Sequence, residues 1–216
     1  MVDEIIQLSL NQADRQHRPE RRDAVANRAL LLETAERLFA ENGVDAVNMA
    51  EIAKTAGVGK GTLYRRFSNK GELCLALMDE RLRAFQEAQL EQLRTAAAAG
   101  TPYLEQLALF LAALVNFTVS HMPLLCEVQQ YSQSLDEENV TRPHFWQYMT
   151  VHQLLQRAVR AEEVRPDLDV AYTAEALLAP LNAQTFRFQL EQLGFTTERI
   201  QAGLRMLVEA LQVEGP

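Results

Sequence analysis

Groups that bind nucleic acids are concentrated in one short segment, residues 60–67, which reads KGTLYRRF. Lysine and arginine neutralise phosphates or read guanine edges, and threonine contacts a phosphate or the methyl group of thymine. A glycine leaves room for the backbone to approach a duplex closely. These residue types predict a DNA-contacting surface that includes Lys60, Gly61, Thr62, Tyr64, Arg65 and Arg66. The alternative is a plain corner between two helices whose outward cations are only solvated.

The residues just before this segment provide the support that such a surface needs. Ala53 and Gly57, four residues apart, keep the crossing point of two short helices nearly free of side-chain bulk. Gly57 can also adopt the positive φ that a sharp turn requires. Leu63 and Phe67 lie on one face of the second helix and can anchor it to the first. The pattern predicts a helix-turn-helix motif with the cationic face turned outward.

Charge is distributed unevenly along the chain. Residues 15–70 hold 8 Arg and 3 Lys against 7 acidic residues, a net charge of +4, whereas residues 71–216 hold 10 Arg against 19 acidic residues, a net charge of −9. A basic end on an acidic body is typical of a nucleic-acid-binding domain joined to a domain of another kind. Chance is the alternative explanation of the same counts.

Apolar residues repeat at helical spacing along nearly the whole chain, and the alternation typical of strands is not evident. Asn48 stands three residues before Glu51, a capping-box-like helix start. Pro123 is expected to open a helix that ends near residue 133, and Pro180 is expected to kink a helix running over residues 170–193. The sequence predicts an all-α protein of about nine helices.

Composition and motifs exclude several classes of protein. The longest unbroken apolar run, Leu107 to Val115, has nine residues, so we expect no membrane span and no membrane partner. No basic, apolar leader opens the sequence, and we expect a cytoplasmic protein. Cys74 and Cys126 are far apart and have no histidine at ligand spacing, so no metal or cofactor is expected, although a redox role is left open. Motifs of nucleophilic, phosphate-binding and zinc enzymes are absent, and we expect no catalysis.

The run NRALLLETAERLFAENGVDAVNMAEIAKTAGVGKGTLYRRFSNKGELCLAL, residues 27–77, closely resembles the N-terminal domain of the TetR family of transcriptional regulators. The resemblance implies that the second helix of the motif enters the major groove and that Tyr64 and Lys70 hold phosphates. Two positions depart from the family pattern: Gly59 replaces a usual Ser, and Asn48 replaces a usual Thr. We expect Asn48 to belong to the DNA-binding surface with altered phosphate contact.

The resemblance also implies a division of the chain. Residues 1–20 are expected to form a mobile leader, residues 21–70 a three-helix DNA-binding domain, and residues 71–216 a larger helical domain for ligand binding and dimerisation. Arginines at positions 15, 18, 21 and 22 either enter a minor groove as a flexible arm or belong to a solvated leader.

Useful specificity requires two helix-turn-helix motifs, spaced by about 34 to 36 Å in a two-fold dimer. The last two helices resemble the family's dimerisation helices, and their apolar stripes are candidates for the interface. These candidates are Leu177, Leu181, Phe188, Leu204, Leu207 and Leu211. From the residues alone, closure of the monomer's own core is the favoured explanation of these stripes, and only the resemblance reverses that preference.

Aromatic residues, methionines and histidines accumulate in the middle of the chain, where the family encloses an inducer. Candidates for an effector cavity are Phe110, Phe117, His121, Glu127, Tyr131, Trp146 and Met149. Core packing is the alternative for each of them. Glu127 would favour a cationic ligand inside such a cavity, but a carboxylate near a helix start also has a dipole-based explanation.

Together these features predict a homodimeric regulator, most simply a repressor that a small molecule releases from a palindromic double-stranded operator. Ligand binding must favour a conformation whose recognition helices no longer fit successive major grooves. The alternative is a ligand-independent DNA-binding or scaffolding protein whose core is filled by its own side chains.

Overall fold

The computed structural model describes residues 25–132 and 142–213 and is all-α within them, as the sequence predicts. A two-residue bridge between Val164 and Gln212 is the sole β pairing in these ranges. The helices are α1 (25–42), α2 (Met49–Thr55), α3 (Lys60–Arg66), α4 (Lys70–Ala98), α5 (Tyr103–Ser132), α6 (Arg142–Arg160), α7 (Val170–Leu178), α8 (Ala183–Glu191) and α9 (Thr197–Glu209).

The chain forms two compact units that divide between Leu77 and Met78. In the first unit, α1 presents an apolar stripe at positions i, i+4, i+7 and i+8, and all four side chains are buried. They are Leu31, Ala35, Leu38 and Phe39. Gly43, at φ 83°, ends the helix, because a positive φ is accessible to glycine at little cost.

The second unit is built around α5, which packs against α6, α8 and α9. Its start is fixed from a distant part of the chain. The backbone N–H groups of Tyr103 and Leu104 donate to the two carboxylate oxygens of Glu163, at 2.7 and 2.8 Å. A carboxylate is well suited to this position, since it satisfies two orphan donors and faces the positive end of the helix dipole.

The expected helix start at Pro123 is wrong, because α5 continues through this residue. Proline removes one backbone hydrogen bond and crowds the preceding turn, which favours a break. Packing of the following turns offsets this cost. Leu124 and Cys126 are buried, and the Cys126 Sγ donates to the Ala183 carbonyl oxygen at 3.7 Å.

The expected kink at Pro180 is a complete break. A short 3₁₀ turn, Ala179–Leu181, separates α7 from α8. Asn182 then caps the new helix, since its side-chain oxygen accepts from the backbone N–H groups of Gln184 and Thr185. Two expected helices are thus joined in α5, and another is divided into α7 and α8. The number of α-helices over the described residues is therefore nine, as expected.

One stretch of α5, Tyr103–Gln130, is long and apolar enough to cross a membrane, with a mean hydropathy of 1.7. The expectation of no membrane span relied on unbroken apolar runs, which do not detect this helix because isolated polar residues interrupt it. Because α5 packs against three helices of its own unit, we interpret it as a core helix.

Candidate nucleic-acid interface

The first helix of the motif starts at a side-chain cap. The Asn48 Oδ1 accepts a hydrogen bond from the backbone N–H of Glu51 at 3.0 Å, as the sequence predicts. Met49, Ile52 and Ala53 on this helix are buried in the first unit. The Asn48 side chain is thus oriented by its own helix, and its amide nitrogen is left for other contacts.

Gly57 makes the turn between the two helices. Its φ is 66°, its N–H donates to the Lys54 carbonyl oxygen at 3.2 Å, and the Val58 N–H donates to the Ala53 carbonyl oxygen at 2.9 Å. This pair of bonds is the Schellman arrangement, in which a residue in the left-handed region ends a helix. The predicted role of Gly57 follows from this geometry.

The recognition helix α3 is held by two apolar side chains. Leu63 is 0% exposed and Phe67, at its C-cap, is 2% exposed. The other side faces solvent: Lys60, Gly61 and Arg65 are exposed, Tyr64 is 49% exposed and Thr62 is half-buried. The Arg65 Nη2 donates to the Thr62 Oγ1 at 3.1 Å. These five predicted groups of α3 therefore lie away from its two buried anchors, and the sixth, Arg66, is exposed as well.

Two further cations lie close to this helix. The Arg28 guanidinium lies over the Phe67 ring at 5.8 Å, and the Lys70 Nζ lies over the Phe39 ring at 6.0 Å. Lys70 was expected to hold a phosphate and Arg66, which is exposed, was expected on the outer face of α3, whereas Arg28 was absent from the expected contacts. Arg28 is far from α3 in the chain, so no local pattern could assign it.

In the second unit, part of the predicted effector site forms a continuous row of rings. Centroids are 4.5 Å apart for Phe85 and Phe117, 6.1 Å for Phe85 and Trp146, and 5.7 Å for Phe110 and Trp146. The His121 ring lies 4.5 Å from that of Phe117. Phe85 is a member that the sequence interpretation missed. We call these five residues the aromatic row; its rings contact one another and fill the space between them.

Of the other predicted effector residues, Glu127 and Met149 are half-buried on α5 and α6, and the side chain of Tyr131 lies outside the part of the chain that the structure describes. Two surface clefts of about 350 and 400 Å³ lie elsewhere, along α8 and beside the break at Pro180, and the predicted effector residues line neither.

The six predicted dimer residues divide into three groups by their exposure. Leu177, Leu181 and Leu204 are buried in the core of the second unit, which supports the core-packing alternative for them, and their assignment to the interface stays a prediction. Phe188 and Leu207 are each 53% exposed, and their role stays a prediction. Leu211 is half-buried and packs against the core.

An all-α chain with a helix-turn-helix whose second helix carries exposed cations belongs to the class of DNA-binding regulators. A model of the family described as "Bacterial regulatory proteins, tetR family" matches residues 31–77. An HTH-type transcriptional regulator of Staphylococcus aureus (strain MRSA252) is 28% identical over 178 residues, which cover 82% of this chain and 90% of that protein.

Solved structures of similar fold extend over most of the chain. FadR of Bacillus subtilis, in complex with stearoyl-CoA, has a TM-score of 0.63 at 19% identity and covers 84% of this chain and 97% of its own. A transcriptional regulator from Saccharomonospora viridis, in complex with choline, has a TM-score of 0.65 at 20% identity and covers 87% and 98%. Residues 31–77 therefore match the TetR family of transcriptional regulators, and the chain is similar to HTH-type transcriptional regulators over 82% of its length.

Proposed function

We propose that this protein is a cytoplasmic repressor that binds a palindromic operator as a homodimer and leaves it when a small molecule binds. The observation that carries the proposal is the outward side of α3. Lys60, Arg65 and Arg66 are exposed there, and none of them forms an ion pair with a described residue. Leu63 and Phe67 hold the helix to its unit, so the cations are presented on a fixed support.

We assign DNA binding to the first unit and both effector binding and dimerisation to the second. Exposed apolar side chains on α8 and α9 support a dimer: Phe188 and Leu207 are 53% exposed and Met206 is 65% exposed. A two-fold interface through these helices would cover them and bring two copies of the DNA-binding unit into one dimer. Replacing Phe188 with Glu should shift the protein from dimer to monomer in sedimentation, and an unchanged dimer would remove α8 from the interface.

The effector site is proposed at the aromatic row. Related folds are described with stearoyl-CoA and with choline; the first carries a long apolar acyl chain and the second is cationic, and aromatic rings can contact either an acyl chain or a cation. Because the rings now contact one another, a ligand must separate them, and it shifts the protein only by its differential affinity for the two states.

The same ring contacts favour a second candidate, a ligand-independent regulator whose core is filled by its own side chains. Trp146 distinguishes the two, since it is the single tryptophan of the chain and lies in the row. Saturable change of its fluorescence with choline or stearoyl-CoA, together with release of bound DNA, supports the repressor. Binding of neither probe while DNA binding persists supports the second candidate.

The decisive test of DNA binding is retardation of the DNA upstream of the protein's own coding sequence by the full chain. We expect retardation at low salt that survives an excess of unrelated competitor DNA. The variant Leu63→Glu serves as a control, because a charge at this fully buried position should detach α3 and abolish binding. Failure of the unmodified protein to retard this DNA at low salt would contradict the proposal.

A further inference from the structure

Arg65 occupies the outermost position of the recognition helix. It stands two positions from each of the buried anchors Leu63 and Phe67. At about 100° per residue, two positions are about 200° around the helix, so Arg65 lies opposite the buried side. Gly61 is one turn earlier on the same line and adds no side chain. If α3 enters the major groove of DNA, Arg65 therefore faces the bases, and the absence of a side chain at Gly61 leaves space next to it.

The Arg65 side chain is also held in place before any DNA binds. Its Nη2 donates to the Thr62 Oγ1 at 3.1 Å, across one turn of the helix. A free arginine loses much rotamer freedom when it is ordered, and this bond reduces that loss on binding. A guanidinium has five N–H donors, so the bond to Thr62 leaves enough of them for two further parallel hydrogen bonds.

We propose that Arg65 reads a guanine in each operator half-site and that Thr62 acts as its positioning residue. Guanine presents two neighbouring acceptors, N7 and O6, in the major groove, and they match two donors of the guanidinium. Thymine and cytosine do not offer this pair of acceptors, and adenine offers one acceptor beside a donor. The inference rests on the proposed function and adds the base class that the site selects.

The flanks of α3 have a different role. Lys60 stands three positions before Leu63 and Arg66 three positions after it, so they lie about 60° to either side of Leu63 and about 120° apart, and both are exposed. From there they face the walls of a groove, where the phosphates are, and not its floor. Both contribute affinity without base preference.

Selection of bound sequences from a randomised duplex pool tests this assignment in the full chain. Four proteins are compared: the unmodified chain, Thr62→Val, Arg65→Lys and Arg66→Ala. Thr62→Val keeps the shape of the side chain and removes the acceptor, and circular dichroism checks that the helices are retained. The unmodified chain should select a guanine at one position per half-site, with about 5- to 150-fold discrimination against other bases.

The expected pattern of losses is specific. Thr62→Val should lower the guanine preference at that position by roughly 2- to 10-fold and leave the preferences at other positions unchanged. Arg65→Lys should lower the guanine preference further. Arg66→Ala should weaken binding without changing the selected motif. Full retention of the guanine preference in Thr62→Val overturns the role of Thr62, and its retention in Arg65→Lys overturns the role of Arg65. Selection of no motif by the unmodified chain would instead contradict the proposed function itself.

Discussion

Replacing Gly61 with Ala separates the stability of α3 from its fit to DNA. Gly61 lies inside a helix of seven residues, where glycine is less favourable than alanine by about 0.5–1 kcal/mol. A Cβ atom built on Gly61 meets no other atom within 4 Å. Nothing in the described part of the chain therefore requires glycine here, and we attribute it to the close approach of a partner.

The variant should be more stable and bind DNA less well. We expect the free energy of unfolding to rise by about 0.5–1 kcal/mol. A methyl group forced into a packed contact typically costs about 1–3 kcal/mol, so we expect DNA affinity to fall by roughly 5- to 150-fold. Urea unfolding gives the first quantity, and fluorescence anisotropy with labelled operator DNA gives the second.

The two opposite changes make the experiment its own control, since a more stable protein cannot lose affinity by unfolding. Equal or tighter binding by the stabilised variant would refute the argument that DNA approaches Gly61. A loss of stability would refute the helix-propensity argument instead.

Three further predictions concern the turns and caps. Gly57→Ala should lower the free energy of unfolding by about 1–2 kcal/mol in urea titrations, because φ is 66° while the Cβ itself has open space; an unchanged midpoint would contradict this. Glu163→Gln replaces one acceptor at the start of α5 and should lower the free energy of unfolding by about 1.5–3 kcal/mol. Glu162→Gln is the control: this neighbouring residue is exposed, the charge change is the same, and the free energy of unfolding should be nearly unchanged in the same assay. The pKa of Glu198 lies below its ordinary value of 4.5, because its carboxylate accepts hydrogen bonds, first from its own backbone N–H and then from Thr196. The ionised Glu198 side chain therefore stabilises the folded protein fully above pH 4.5, and this stabilisation is lost as the pH falls through the lowered pKa. Glu198→Gln should therefore have a lower free energy of unfolding than the unmodified chain at about pH 6, and this difference should disappear in acid. A difference that does not change with pH would contradict this prediction.

Local signals predicted much of the first unit. Asn48 caps α2 and Gly57 ends it, because both effects act between residues at most five positions apart. The outward side of α3 followed equally well from helical periodicity. By contrast, the contact of Arg28 with Phe67 joins residues far apart in the chain, and no spacing rule addresses it.

The second unit shows where such signals fail. Pro123 and Pro180 have the same local preference for breaking a helix, yet α5 continues through the first and the chain breaks at the second. Buried packing after Pro123 and the available cap at Asn182 decide the difference. An apolar stripe has the same period whether it faces the chain's own core or another copy, so the spacing of Leu204 alone cannot distinguish core packing from the interface.

The salt dependence of operator binding tests the central claim most directly. Each phosphate contact contributes about 0.9 to the slope of log affinity against log salt concentration. Lys60 and Arg66 would supply two contacts per protomer and four per dimer, so the double variant Lys60→Ala/Arg66→Ala should have a slope smaller by about 3.6. A slope equal to that of the unmodified protein would show that the outward side of α3 does not lie against DNA.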